Sequence, residues 1–179
     1  MTKPPRGYLI LACLALLAIF IGYQAIFKWP AEKQGLAKQQ KLIEAIESRK
    51  WGRVHRLVSD HYGDSLELDR ENLLLALRDL GSQFWTMLEL NWEMTDLQRD
   101  GDAIVITGKL RLDGEGGMFA PMAVQHARPF ANKPFTFRWR KAGTMPWSWR
   151  LDSIHHPDAR LPDGYVPGEL RRRTGFGEF

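Results

Sequence analysis

Residues 84–112 read FWTMLELNWEMTDLQRDGDAIVITGKLRL. Over 84–96 the apolar positions alternate: Leu88, Leu90, Trp92 and Met94 fall on one side, and Glu89, Asn91 and Glu93 on the other. A period of two is the signature of a strand with one buried face. Arg99-Asp100-Gly101-Asp102 then supplies Asp-Gly turn chemistry, and the chain returns over 103–112 with Ile104, Ile106, Leu110 and Leu112 on one face, which together predict a β-hairpin. Two further strands follow. Residues 134–142 place Phe135, Phe137 and Trp139 inward and Thr136, Arg138 and Arg140 outward, and 147–155 place Trp147, Trp149 and Leu151 inward. Between the hairpin and these strands, 113–117 is Gly-rich, and 118–133 has prolines and little periodicity and is expected to be a long loop. The outer face pairs Glu89, Glu93 and Asp152 with Arg138, Arg140 and Arg150, the ordinary chemistry of a solvated sheet face.

Upstream the period changes from two to about 3.6. Leu36, Leu42, Ile43 and Ile46 mark an amphipathic helix over 31–50, interrupted at Trp51-Gly52. Val54, Leu57 and Val58 mark a short second helix over 53–59. A turn over 60–64 and a short strand over 65–68 come next. Asp69 is an N-cap residue for a third helix over 70–83, with Leu73, Leu74, Leu77 and Leu80 as its buried stripe and Gly81 as its stop. Helices followed by antiparallel strands make the fold class α+β, with helices packed on a curved antiparallel sheet.

The N-terminal stretch 7–27, GYLILACLALLAIFIGYQAIF, carries no charge. Its length matches a bilayer core, and Tyr8, Tyr23 and Trp29 sit near its ends, so it is expected to be a transmembrane anchor. A cleaved signal peptide fits less well because no small-x-small site follows the apolar run, and a lipobox at Cys13 fails because most of the apolar run lies after it. The expected organisation is 1–30 N-terminal transmembrane helix, 31–156 globular domain and 157–179 extended tail. The expected localisation is a single-pass membrane protein; Lys3 and Arg6 favour an extracytoplasmic domain over the reverse orientation. Only three of the 25 Lys and Arg precede residue 31, and none of the 21 Asp and Glu do. The remainder is nearly neutral and lacks the broad basic face of a nucleic-acid binder. Arg171, Arg172 and Arg173 form the one dense basic cluster. Cys13 is the sole cysteine, which excludes an internal disulfide, a Cys metal site and a Cys nucleophile.

The order of elements resembles the nuclear transport factor two-like (NTF2-like) superfamily. Three features carry the resemblance: Ile43-Glu44-Ala45-Ile46 followed by Trp51-Gly52-Arg53 and Leu57-Val58-Ser59-Asp60; the helix after Asp69; and the late strands ending in Trp147-Ser148-Trp149-Arg150-Leu151-Asp152-Ser153-Ile154. It covers roughly residues 35–156. The resemblance implies a cystatin-like cone with an internal cavity. That superfamily holds enzymes such as ketosteroid isomerase and scytalone dehydratase. It also holds many non-catalytic domains, among them a membrane-bound assembly factor of type IV secretion systems. Fold alone does not choose among them.

Isomerase or dehydratase chemistry needs a carboxylate or His base in an apolar cavity. The inward strand positions supply walls but no carboxylate. Ser153 and His155 lie at the end of the inward face as projected from Leu151, so Trp92, Trp139, Trp149 and His155 are the ligand-pocket candidates. The plainer readings are preferred: a partly exposed His at a strand end, and tryptophans used for core or interface packing. His61 and Asp64 could form a base and its orienter, but such residues more often build the turn itself. His155-His156 and His126 invite a metal, yet adjacent strand residues point to opposite faces, and no convergent set of three ligands exists. No catalytic residue, metal site or cofactor is therefore expected; no nucleotide fingerprint or nucleophile elbow is present. The function expected is a membrane-anchored, non-catalytic binding or assembly module acting through a protein partner or self-association. The alternative is a small-ligand binder or isomerase-like enzyme that uses the cone cavity.

Overall fold

The alternation over 84–112 becomes the long hairpin that organises the domain. In the computed structural model, which describes residues 6–27, 30–145, 148–162 and 164–170, strand β1 (Met87–Asp100) pairs antiparallel with β2 (Ala103–Glu115) around a Gly101-Asp102 turn. Gly101 takes φ +60°, the left-handed backbone that a two-residue hairpin turn requires. β3 (Phe135–Lys141) and β4 (Trp149–His155) complete a four-stranded antiparallel sheet in the order β1-β2-β3-β4. Residues 146 and 147 lie outside the described residues, and with them the expected inward position of Trp147.

Among the described residues five α-helices accompany the sheet: α1 (Arg6–Phe27), α2 (Ala31–Glu47), α3 (Trp51–Leu57), α4 (Arg70–Gln83) and α5 (Ala120–Ala127), the last running into a 3-10 helix over Arg128–Asn132. The architecture is α+β, with helices packed on a curved antiparallel four-stranded sheet. α2 ends in a tight reversal. Arg49 adopts φ +52°, its N–H reaches the Ile46 carbonyl at 2.9 Å, and the Lys50 N–H reaches the Ala45 carbonyl at 2.8 Å. This is the Schellman pattern that lets α3 start at once in a new direction. α4 begins where its cap predicts, with the Asp69 carboxylate accepting the Asn72 N–H at 2.8 Å. Gly81, expected as its stop, lies inside the helix beneath the Trp51 indole.

The core lies between α2, α3, α4 and the inner sheet face. Ile104, Ile106, Trp139 and Leu151 are fully buried there with Leu42, Val54 and Leu74. Two tryptophans are fixed to α2 by hydrogen bonds: Trp139 Nε1 donates to Gln39 Oε1 and Trp149 Nε1 to Gln34 Oε1, both at 2.9 Å. Buried indole N–H groups need such acceptors.

Four sequence expectations are corrected. First, among the described residues no helix is long and apolar enough to cross a membrane. The transmembrane anchor, the single-pass membrane localisation and its orientation are therefore not supported. Second, 118–133 is not a loop. Its prolines sit in the first turns of α5 and of the 3-10 helix, where a missing N–H costs nothing. Third, 65–68 is not a strand, because the Asp64 carboxylate takes the N–H groups of Leu66 and Leu68 that a strand would give to a ladder. Fourth, the described part of the tail is not simply extended. It returns to α4, where Asp79 accepts the Gly168 N–H at 2.7 Å and the Tyr165 hydroxyl at 3.0 Å.

Candidate functional site

The curved sheet and the helices leave an internal cavity of about 330 Å³. Its wall is assembled from Leu42, Ile43 and Ile46 of α2, Leu73, Leu77 and Leu80 of α4, Leu90 and Leu110 of the hairpin, and Phe135, Phe137, Leu151 and Ile154 of β3 and β4. Leu66, Ala159 and Leu161 complete the lining, with Ser65 exposed beside them. The volume falls within the usual range for small-molecule pockets.

A register shift decides which side chains reach this wall. Directly opposed residues share a sheet face, and Trp139 opposes Leu151 while Phe137 opposes Ile154. One residue separates the pair on β3 and two separate it on β4. β4 therefore carries a β-bulge, which reverses the facing of everything beyond it. Simple alternation from Leu151 points Ser153 and His155 inward. The bulge turns Ile154 and His156 inward instead: His155 is exposed, whereas His156 is 3% exposed and lines the cavity. A second bulge between Met94 and Asp96 similarly lets Leu97 oppose Ile106 after Trp92 has opposed Leu110.

The sequence candidates are thus distributed rather than gathered. Trp139 and Trp149 are buried and bonded to α2, and neither is among the residues lining the cavity. Trp92 stacks edge-on against Phe137 with ring centroids 5.1 Å apart and lies against Gly108. His155 stands apart on the exposed face. His61 is exposed, and Asp64 turns away from it toward Tyr62. Among the described residues no group of three or more His, Cys, Asp or Glu could hold a metal ion. The residue that sequence reasoning passed over is His156. The only signal for it was its neighbour on the opposite phase of the strand.

Both ionisable groups in the wall are already engaged. His156 Nδ1 accepts the Asp158 N–H at 3.2 Å, which leaves Nε2 as the protonated nitrogen, directed at the Phe130 carbonyl at 3.1 Å. The imidazole also lies against Phe135, with ring centroids 4.4 Å apart. Lys133 grips Asp158 at 2.7 Å and holds its carboxyl below the usual carboxylate range, so the turn that supplies the N–H to His156 is itself fastened. Asp64 accepts the Tyr62 hydroxyl at 2.8 Å on one oxygen and the Leu66 and Leu68 N–H groups at 2.9 and 3.0 Å on the other. Burial, and then the hydrogen bond to Asp64, push the Tyr62 phenol well above its ordinary range. It is a donor locked in place rather than a titrating acid.

No family model matches the chain, and no curated protein does. Solved structures do. A conserved protein from Planctomyces limnophilus aligns with a TM-score of 0.51 at 12% identity, covering 70% of this chain and 93% of that one. A protein from Bdellovibrio bacteriovorus aligns at 0.51 and 9% identity, covering 73% of this chain and 41% of its own. An NTF2-like protein from Pseudomonas putida aligns at 0.47 and 12% identity, covering 70% and 84%. At such identities the likeness concerns the fold alone. The structural neighbours include NTF2-like proteins, and the likeness at a TM-score of 0.51 is one of α+β fold.

Proposed function

We propose that this domain binds a small, largely apolar ligand inside its cone and performs no chemistry on it. The observation that carries the reading is the cavity of about 330 Å³ with an aliphatic and aromatic wall. It is larger than the roughly 150 Å³ apolar cavity that stays dry and accepts benzene. Proton transfer needs a base that can reach the substrate. His156 has both nitrogens committed to backbone partners, and Asp64 has both oxygens committed, so binding fits the wall better than isomerisation or dehydration. An uncharged naphthylamine dye, fluorescent only in apolar surroundings, tests this. Saturable binding to the native protein, lost in a Leu77→Trp variant of unchanged circular dichroism, is the expected result. Absent binding, or equal binding to the filled variant, refutes it.

A second reading, action through protein contacts, rests on a different observation. Trp85, Met87, Met118, Phe119 and Met122 are all exposed where the root of the hairpin meets the start of α5, with Met118 at 85%. Trp85 lies against Gly117, which joins the two segments into one apolar surface. Patches of this kind mark interaction sites. A Phe119→Ser, Met122→Ser double variant should lose concentration-dependent association, or capture of a crosslinked partner, while keeping dye binding. If neither changes, this surface does not carry the contacts.

A further inference from the structure

Outside the cone, α3, the 58–61 segment, the start of α4 and the adjoining ends of β3 and β4 enclose a groove of about 540 Å³, which shares only Val58 with the cavity wall. Five permanent cations line it, Arg56, Arg70, Arg140, Lys141 and Arg150, against two acids. Asp60 is taken by Arg70 and Asp152 by Arg140. Among the described residues Arg56, Lys141 and Arg150 have no carboxylate partner. Arg140 and Arg150 are moreover directly opposed across β3 and β4, an arrangement in which like charges repel and destabilise the sheet. The Arg150 guanidinium donates to the carbonyl of Trp149, a neutral group that leaves its charge uncompensated. Lys38 of α2 registers the same field: burial first, and then the charge of Arg150, lower its ammonium below its ordinary range.

A chain that keeps two arginines opposed and three cations unpaired around one concavity has stability to gain from an anion there. Guanidinium forks match the paired oxygens of a phosphate, and His61 in the same lining adds a further ring nitrogen. We propose that this groove is an anion site that binds a small ligand through a phosphate-type dianion held between Arg140, Arg150 and Lys141. Nothing in this site depends on the ligand of the cone.

The test uses the full chain and inorganic pyrophosphate as the probe, followed by calorimetry. One saturable site is expected, weakening as salt is raised because the contacts are electrostatic. Arg150→Gln should weaken binding by about ten-fold or more, the order expected when one charge-assisted contact is removed. Lys109→Gln, an exposed cation on β2 with the same change in net charge, should leave binding within about two-fold. Thermal melting separates a binding role from a structural one. Ligand-free Arg150→Gln should melt at or above the native temperature, since a repulsion is removed, and pyrophosphate should raise the melting temperature of the native protein alone. No saturable binding, an equal loss in Lys109→Gln, or a lower melting temperature for ligand-free Arg150→Gln would each overturn the proposal.

Discussion

Replacing Asp79 by alanine should free the C-terminal tail without unfolding the cone. Asp79 sits on α4 at 1% exposure and accepts two hydrogen bonds from residues more than eighty positions away, the Gly168 N–H and the Tyr165 hydroxyl. A hydrogen bond to a carboxylate contributes about 1.5–3 kcal/mol net. The Gly168 N–H is buried and has nowhere else to turn, whereas Tyr165 is half-buried and can reach water. Discounting the second bond, the loss is about 2–4 kcal/mol, against a typical domain stability of about 5–15 kcal/mol. The deficit falls on the tail, because segments held by few contacts open locally before the core does. Amide exchange over 164–170 should accelerate roughly 30- to 1,000-fold by the relation of about 1.4 kcal/mol per decade, with the strands of the sheet unchanged. Ala159 and Leu161 on the same tail line the cavity, so dye release should also quicken. Hydrogen-exchange mass spectrometry reads the first effect and stopped-flow fluorescence the second. Unchanged protection of 164–170, or a loss spread evenly over sheet and tail, would show that Asp79 serves α4 and not the tail.

Other expectations follow from the same geometry. Gly168→Ala should give the same tail release, since Gly168 has φ +88° and an added methyl would meet Leu75 at 3.3 Å; exchange over 164–170 checks it. Trp139→Phe strands the Gln39 carbonyl oxygen in a core where Gln39 Nε2 already lacks a partner, so urea denaturation should show a loss of about 1–3 kcal/mol; a neutral result would mean that the bond is dispensable. Tyr62 and Tyr165 both have phenols raised above the ordinary value of about 10, by burial first and then by a carboxylate partner. Above that pH the unfolded chain releases protons that the folded chain keeps. Stability contributed by these groups should therefore be complete below about pH 10 and decline above it. A Tyr62→Phe, Tyr165→Phe pair should flatten that alkaline decline in melting temperature.

Much of the fold could be read from local pattern. The period-two alternation and the Asp-Gly turn gave the hairpin, and the inward positions Leu88, Leu90, Ile104 and Ile106 followed from the alternation itself. Asp69 gave the start of α4 to the residue, because a cap acts within one turn of chain. α5 was hidden because its first residues contain proline and its N-cap Phe119 makes no side-chain cap. The markers of a helix start were therefore those of a loop.

The candidate site depended on longer-range facts. Sequence alone determined that the walls would be aliphatic and aromatic, since composition and local period decide which faces are apolar. It did not determine which histidine reaches them. One extra residue in β4 opposite Arg138 and Trp139 exchanges His155 for His156, and a bulge is set by pairing with a neighbouring strand rather than by the strand's own sequence. The docking of Gly168 and Tyr165 on Asp79, and the opposition of Arg140 to Arg150, were likewise decided only in the tertiary structure. Such contacts join residues whose separation along the chain carries no periodic signal, and their energies exist only after the elements have packed.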